Sequence, residues 1–147
     1  IGPAVFAGYH DNPEANAKSF RDGWFHSQDA CEIGEHGLRI MVDRYKDMVK
    51  SGGENVSTIR VEAVLHDHPA VIQAAVVGIP DERWGEAVTA AVVLNSPGTA
   101  TAEELIAFCR QRLAAFETPK RVVLLESLPT TVGGKVQKHK LRQQLKS

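Results

Sequence analysis

The chain has 147 residues, 43% of them hydrophobic and 24% charged, with a net charge of −1. That is the make-up of one globular domain, or of one domain joined to a piece of another. It excludes a bilayer-spanning helix, since no apolar run approaches the ~20 residues required, and no signal peptide opens the sequence.

Ile1 is not an initiator methionine, and Ile1-Gly2-Pro3-Ala4-Val5-Phe6 carries no helix start. The chain therefore reads as cut from something longer. Asn12-Pro13-Glu14 predicts a helix N-terminus, with an Asn cap, Pro at the first helical position and an acid in the first turn. That helix runs to about Phe20, and Asp22-Gly23 turns the chain into a short extended piece at Trp24-Phe25. Glu35-His36-Gly37 predicts a turn between two strands of a small antiparallel sheet, the second over residues 38–43. Arg44-Tyr45-Lys46-Asp47 is charged and reads as a hinge or domain boundary.

Beyond it, Met48-Val49-Lys50 reads as extended and Ser51-Gly52-Gly53-Glu54-Asn55 as a flexible loop. Thr58 is the expected cap of a helix whose apolar stripe is Val61, Val64 and Leu65 and which ends by Pro69. Two strands follow, over 70–79 and 86–94, joined by the turn Pro80-Asp81-Glu82-Arg83-Trp84-Gly85. Thr101-Ala102-Glu103-Glu104 is a capping box in sequence form. Leu105, Phe108, Cys109, Arg112, Leu113 and Phe116 recur at helical spacing behind it, with Arg112 snorkelling from the edge of the stripe. Residues 121–125 predict a strand and 138–145 a last short helix, so that from residue 44 onward the pattern is α+β.

The small net charge hides an asymmetry. Residues 1–43 carry −4, residues 44–116 carry −2, and residues 117–147 carry +5, with Lys138, Lys140, Arg142 and Lys146 crowded at the end. The plain reading is a solvated helix face, and the sharper one a small anionic ligand near Lys135. Nucleic acid is not expected, because no aromatic stacking surface accompanies the charge. Cys31 and Cys109 lie far apart with no metal-ligand spacing, which predicts reduced, buried thiols and a cytoplasmic protein. His66-Asp67-His68 invites a zinc reading, but zinc needs three or four ligands, so no metal site is expected.

Most of the chemistry is concentrated in Leu128-Pro129-Thr130-Thr131-Val132-Gly133-Gly134-Lys135-Val136. Glycines let the backbone turn sharply, and a lysine behind them delivers a mobile positive charge to developing anionic oxygen. This is not a phosphate-binding P-loop: that motif needs glycine where Pro129 stands and Ser or Thr where Val136 stands.

An ordered set of motifs carries a family resemblance. Gly23-Trp24-Phe25, Asp29, Asp43-Arg44-Tyr45-Lys46-Asp47, Ser51-Gly52-Gly53-Glu54-Asn55, Pro80-Asp81-Glu82-Arg83-Trp84-Gly85-Glu86 and Gly134-Lys135 together resemble the adenylate-forming acyl-CoA synthetases over essentially the whole chain. The resemblance implies that residues 1–43 are the tail end of a large N-terminal AMP-binding domain. Residues 44–147 are then the mobile C-terminal lid, a small α+β domain with a mixed or antiparallel sheet and flanking helices, whose family core covers about 60–135. It also implies a two-step ligase: a carboxylate attacks the α-phosphate of ATP to give an acyl-adenylate, and the thiol of coenzyme A then displaces AMP. The lid swings between the steps.

Residue by residue, the resemblance gives Lys135 the adenylation role, Asp29 and Arg44 the ribose contacts, and Lys46 the hinge. Gly52, Gly53 and Glu54 would line the channel for the CoA arm. Magnesium would be held mainly by the large domain, and the acid substrate, fatty or aryl, would bind there too. Several positions depart from the family pattern: Gln28 stands for a glycine in Ser27-Gln28-Asp29, Thr130 for an arginine, Gly133 for Thr or Ser, and Leu38-Arg39 for Tyr-Leu. Two other readings share these motifs, a non-catalytic stand-alone lid that binds a partner and an adenylating enzyme that delivers to a carrier protein. Strands cut from their sheet would also favour a homodimer or a swapped assembly.

Overall fold

The computed structural model describes residues 2–146, which fall into two units parting between Tyr45 and Lys46. Among them no helix is long and apolar enough to cross a membrane.

The first unit opens with helix α1 (Pro13–Ser19), started as expected by the Asn12 side chain, which accepts from the Ala15 N–H. Strands β1 (Phe20–Arg21) and β2 (Trp24–Phe25) form a minimal hairpin. Phe6, Phe20 and Phe25 pack their rings against one another at centroid distances of 5.1–5.3 Å. Strands β3 (Asp29–Ile33) and β4 (Arg39–Arg44) pair antiparallel across a tight 3₁₀ turn, Glu35–Gly37, with a bulge between Ala30 and Cys31. Cys31 is exposed, contrary to the expectation that both thiols are buried, because it stands just past the bulge on the exposed run Cys31–Ile33 of a two-stranded ladder; Cys109 is buried as expected.

The second unit is built on one sheet. Strands β5 (Val49–Ser51), β6 (Glu54–Val56), β7 (Val71–Asp81) and β8 (Gly85–Leu94) take the order β6-β5-β8-β7, and β9 (Arg121–Leu124) runs parallel to β8. Helices α2 (Thr58–His66) and α3 (Ala102–Arg110) supply Val61, Leu65, Leu105 and Cys109 to a core with Ala74, Val76, Val88, Ala90 and Val92. The alternate strand residues Ala75, Val77 and Ala91 enter a second core with Leu141 and Leu145 of α4 (Lys138–Leu145). The period-2 alternation of β7 and β8 therefore divides their side chains between two apolar faces, each covered by helix.

Three local expectations change. Residues 51–55 are no flexible loop: Ser51 pairs with Glu54 across a two-residue turn, and Gly52 and Gly53 both take positive φ, as the twist of a tight hairpin demands. The cap of α2 is Ser57, whose hydroxyl accepts from the Arg60 N–H, and Thr58 is the buried first helical residue. Helix α3 ends at Arg110, short of Leu113 and Phe116. Past its end the Glu117 carboxylate accepts the Ala114 N–H, which bends the chain so that Leu113 is buried and Phe116 exposed. His68 serves the start of β7, its Nδ1 accepting the Ala70 N–H while its ring meets the edge of Phe108.

Candidate nucleotide, thiol and adenylation sites

Asp29 and Arg44 are brought together in the first unit. They face each other in the β3–β4 register, with Arg44 Nε 3.5 Å from Asp29 Oδ1. Their side chains are 46% (Arg44) and 30% (Asp29) exposed, so a ligand can reach both the carboxylate and the guanidinium edge. A carboxylate at such a place accepts two hydroxyl donors side by side, which is the chemistry a ribose diol requires. The residue before it is strained: Gln28 sits at φ +66°, a conformation that glycine adopts freely and a Cβ disfavours. The Ser27 hydroxyl accepting the Asp29 N–H and the Gln28 carbonyl accepting the Tyr45 N–H hold it there.

The remaining candidates lie in the second unit. Lys46 is exposed, and its carbonyl lies 3.5 Å from Arg142 Nη2, which also approaches Asp47 at 3.7 Å. Gly52 and Gly53 form the tip of the β5–β6 hairpin with Glu54 exposed behind them. The Gly52 N–H donates to the Trp84 carbonyl, and a Cβ on Gly52 would come within 3.1 Å of the indole, whereas one on Gly53 would meet nothing.

Trp84 forms the wall beside this hairpin and gathers cations. Arg83 lies 4.8 Å from its ring centroid and Lys120 4.9 Å. Burial first, then the nearby Arg110 and Arg83 charges, hold the Lys120 ammonium below the usual lysine range. Among the described residues none of Arg83, Arg110 and Lys120 is paired with a carboxylate. Mutually repelling cations around an aromatic face form a surface suited to an anionic, planar ligand. Sequence reading missed the group because β9 delivers Lys120 to Trp84 through its parallel pairing with β8, a long-range contact without a local signal.

Lys135 sits on a closed hairpin. Thr130 bridges Val136, the Thr131 N–H donates to the Lys135 carbonyl at 2.8 Å, and the Gly134 N–H donates to the Thr131 carbonyl at 2.9 Å. Gly134, at φ +79°, supplies the left-handed residue that closes a short hairpin loop. The Lys135 backbone is thus fixed while its side chain is exposed, a firm base for a mobile charge.

A protein-family model described as the AMP-binding enzyme C-terminal domain matches residues 60–135. The 4-hydroxybutyrate–CoA ligase 2 of Metallosphaera sedula is 49% identical over 146 residues, covering 99% of this chain and 26% of the relative. An oxalate–CoA ligase of Arabidopsis thaliana is 44% identical, covering 97% of this chain and 28% of the relative. The ATP-bound structure of MatB from Rhodopseudomonas palustris superimposes with a TM-score of 0.89 at 36% identity, covering 100% of this chain and 29% of that one. The chain thus spans between a quarter and a third of the length of these relatives.

Proposed function

Because the chain belongs to the family of the AMP-binding enzyme C-terminal domain, we propose that it acts as the C-terminal part of an ATP-dependent, AMP-forming carboxylic acid–CoA ligase. The observation that carries this reading is Lys135, exposed on a hairpin that its own backbone closes. In the first step a carboxylate oxygen attacks the α-phosphorus and pyrophosphate leaves. The Lys135 ammonium lies against the oxygens on which negative charge develops, and Asp29 and Arg44 hold the ribose. In the second step the CoA thiol, losing its proton, attacks the acyl carbon and AMP leaves. Lys46 is the pivot between the steps, and the Gly52-Gly53 tip leaves room for the thiol arm.

CoA is favoured over a carrier protein by the ledge of Arg83, Trp84, Arg110 and Lys120 beside that tip, which suits a nucleotide bearing several phosphates. The magnesium implied by the family would be held mainly by the large domain and by the phosphates of ATP. Relatives named for acids as different as 4-hydroxybutyrate and oxalate match the chain at similar identity. That similarity supports an acid-selecting pocket outside these residues.

In the complete enzyme, Lys135→Ala is expected to cost the adenylation half-reaction about 3–4 kcal/mol, the scale of one lost oxyanion donor. Thioester formation from a supplied acyl-adenylate should lose much less. Equal losses in the two half-reactions would sink the assignment. Lys120→Ala should raise the KM for CoA and leave adenylation untouched, and a carrier protein accepted in preference to CoA would replace the CoA reading.

A further inference from the structure

Helix α4 begins in a way its own sequence does not favour. Its first turn holds Lys138 and Lys140 with no acid, and no side chain caps it. Cations at a helix N-terminus oppose the macrodipole, so Lys138 must be held there by something other than its own helix. Its ammonium lies 2.8 Å from Glu62 Oε1 and donates to the hydroxyl of buried Thr58 at 2.7 Å. Both partners are on α2. Glu62 Oε1 also accepts the Val76 N–H at 2.7 Å, on the strand that ends the sheet. The Lys138 and Glu62 side chains are only 18% and 20% exposed.

This node stands three residues beyond Lys135. The intervening backbone has little slack, because the Gln137 N–H donates to the Pro129 carbonyl at 2.7 Å and Gln137 Nε2 donates to the Thr130 carbonyl. The hairpin closes on itself but is anchored to the sheet at its exit, where a partly buried ion pair with two further hydrogen bonds fixes geometry more firmly than a surface pair would. We propose that Glu62 and Lys138 are positioning residues for the Lys135 hairpin, acting through the α2–α4 node without touching substrate. The inference rests on the adenylation reading of Lys135.

Two measurements test it separately from that reading. On the 147-residue chain, amide hydrogen exchange is followed by NMR in Glu62→Gln, whose side-chain oxygen still accepts from Val76, and in Lys138→Met. Exchange at Thr131, Gly134 and Gln137 should accelerate about tenfold or more while the β7–β8 ladder keeps its protection, the pattern of a local opening. Unchanged exchange at those three amides overturns the proposal, as does equal acceleration throughout the core. In the complete enzyme, Glu62→Gln should lower the adenylation kcat by roughly 10–100-fold, the scale of a misplaced group, with little change in thioester formation. Lys138→Arg, which keeps the charge, should recover most of the rate, and an equal loss in both half-reactions overturns the proposal. Should Lys135→Ala leave adenylation intact while the exchange result holds, the functional reading alone fails.

Discussion

At the scale of single residues, Gly52 and Gly53 look alike in sequence and differ in space. Both have positive φ, so an alanine at either position carries a backbone penalty of about 1–2 kcal/mol. Only Gly52→Ala also pushes a methyl against the Trp84 ring. The expected outcome is a larger drop in thermal midpoint for Gly52→Ala than for Gly53→Ala, and a shift of Trp84 emission, read in a Trp24→Phe background, for Gly52→Ala alone. Equal behaviour of the two variants would show that the indole does not bear on the hairpin. The cysteines make a second contrast. Burial pushes the Cys109 thiol up to about 11, so at pH 8 it is protonated as well as enclosed, while Cys31 is exposed. Alkylation of the native chain at pH 8, followed by mass, should therefore label one site, Cys31, and denaturant should release the second. Of these details the sequence shows the paired glycines and the apolar setting of Cys109. It does not show that Cys31 faces out, because β-rich composition alone does not say whether a second layer covers a strand.

At the scale of elements, the legible features were those whose causes are local. The Asn12 cap and the Thr101 capping box both form, Thr101 accepting from the Glu104 N–H and Glu104 from the Thr101 N–H. Features with distant causes were not legible. The stripe of α3 continues in spacing through Leu113 and Phe116, yet the helix stops because the Glu117 carboxylate takes the Ala114 N–H, and Glu117 is itself held by Arg60 of α2 at 3.2 Å. The role of Glu62 was hidden for the same reason, since nothing near it in sequence announces Val76 or Lys138. Gly78 illustrates the point inside a strand. It reads as a weak spot in β7, but a Cβ there would lie 2.8–3.0 Å from the Glu86 carboxylate, and Glu86 Oε2 accepts the Lys50 N–H at 2.8 Å. Gly78→Ala must therefore displace the acid that ties β5 to β8. A loss of about 1–3 kcal/mol in denaturant unfolding is expected, the cost of overpacking, despite the better strand propensity of alanine. In a Glu86→Ala background the same change should cost much less, and an unchanged cost would show that the carboxylate is not the obstacle.

At the scale of the whole molecule, the two units differ in what holds them. Among the described residues every buried apolar side chain lies between Val49 and Leu145. Before Tyr45 the structure has two short ladders and an aromatic cluster, while Ile33 and Leu38 stand 73% and 66% exposed. Two-stranded ladders without a core are marginal on their own, whereas the second unit has a sheet covered on both faces. The change of character at residues 44–47 was legible as charge and polarity; the imbalance in packing was not, because apolar residues are about as abundant in the first unit as in the chain as a whole. Opening should therefore be cheap upstream of Lys46 and costly beyond it. Limited trypsin digestion should cut first at Arg39 or Arg44 and leave a resistant product extending through α4. That product should unfold at the denaturant midpoint of the parent's main transition, because the cut removes none of its core. Cleavage at Arg83 or Arg121 at a comparable rate would mean that the sheet and its two helical layers do not form an independent stable body. The second unit would then depend for its integrity on the residues that precede it.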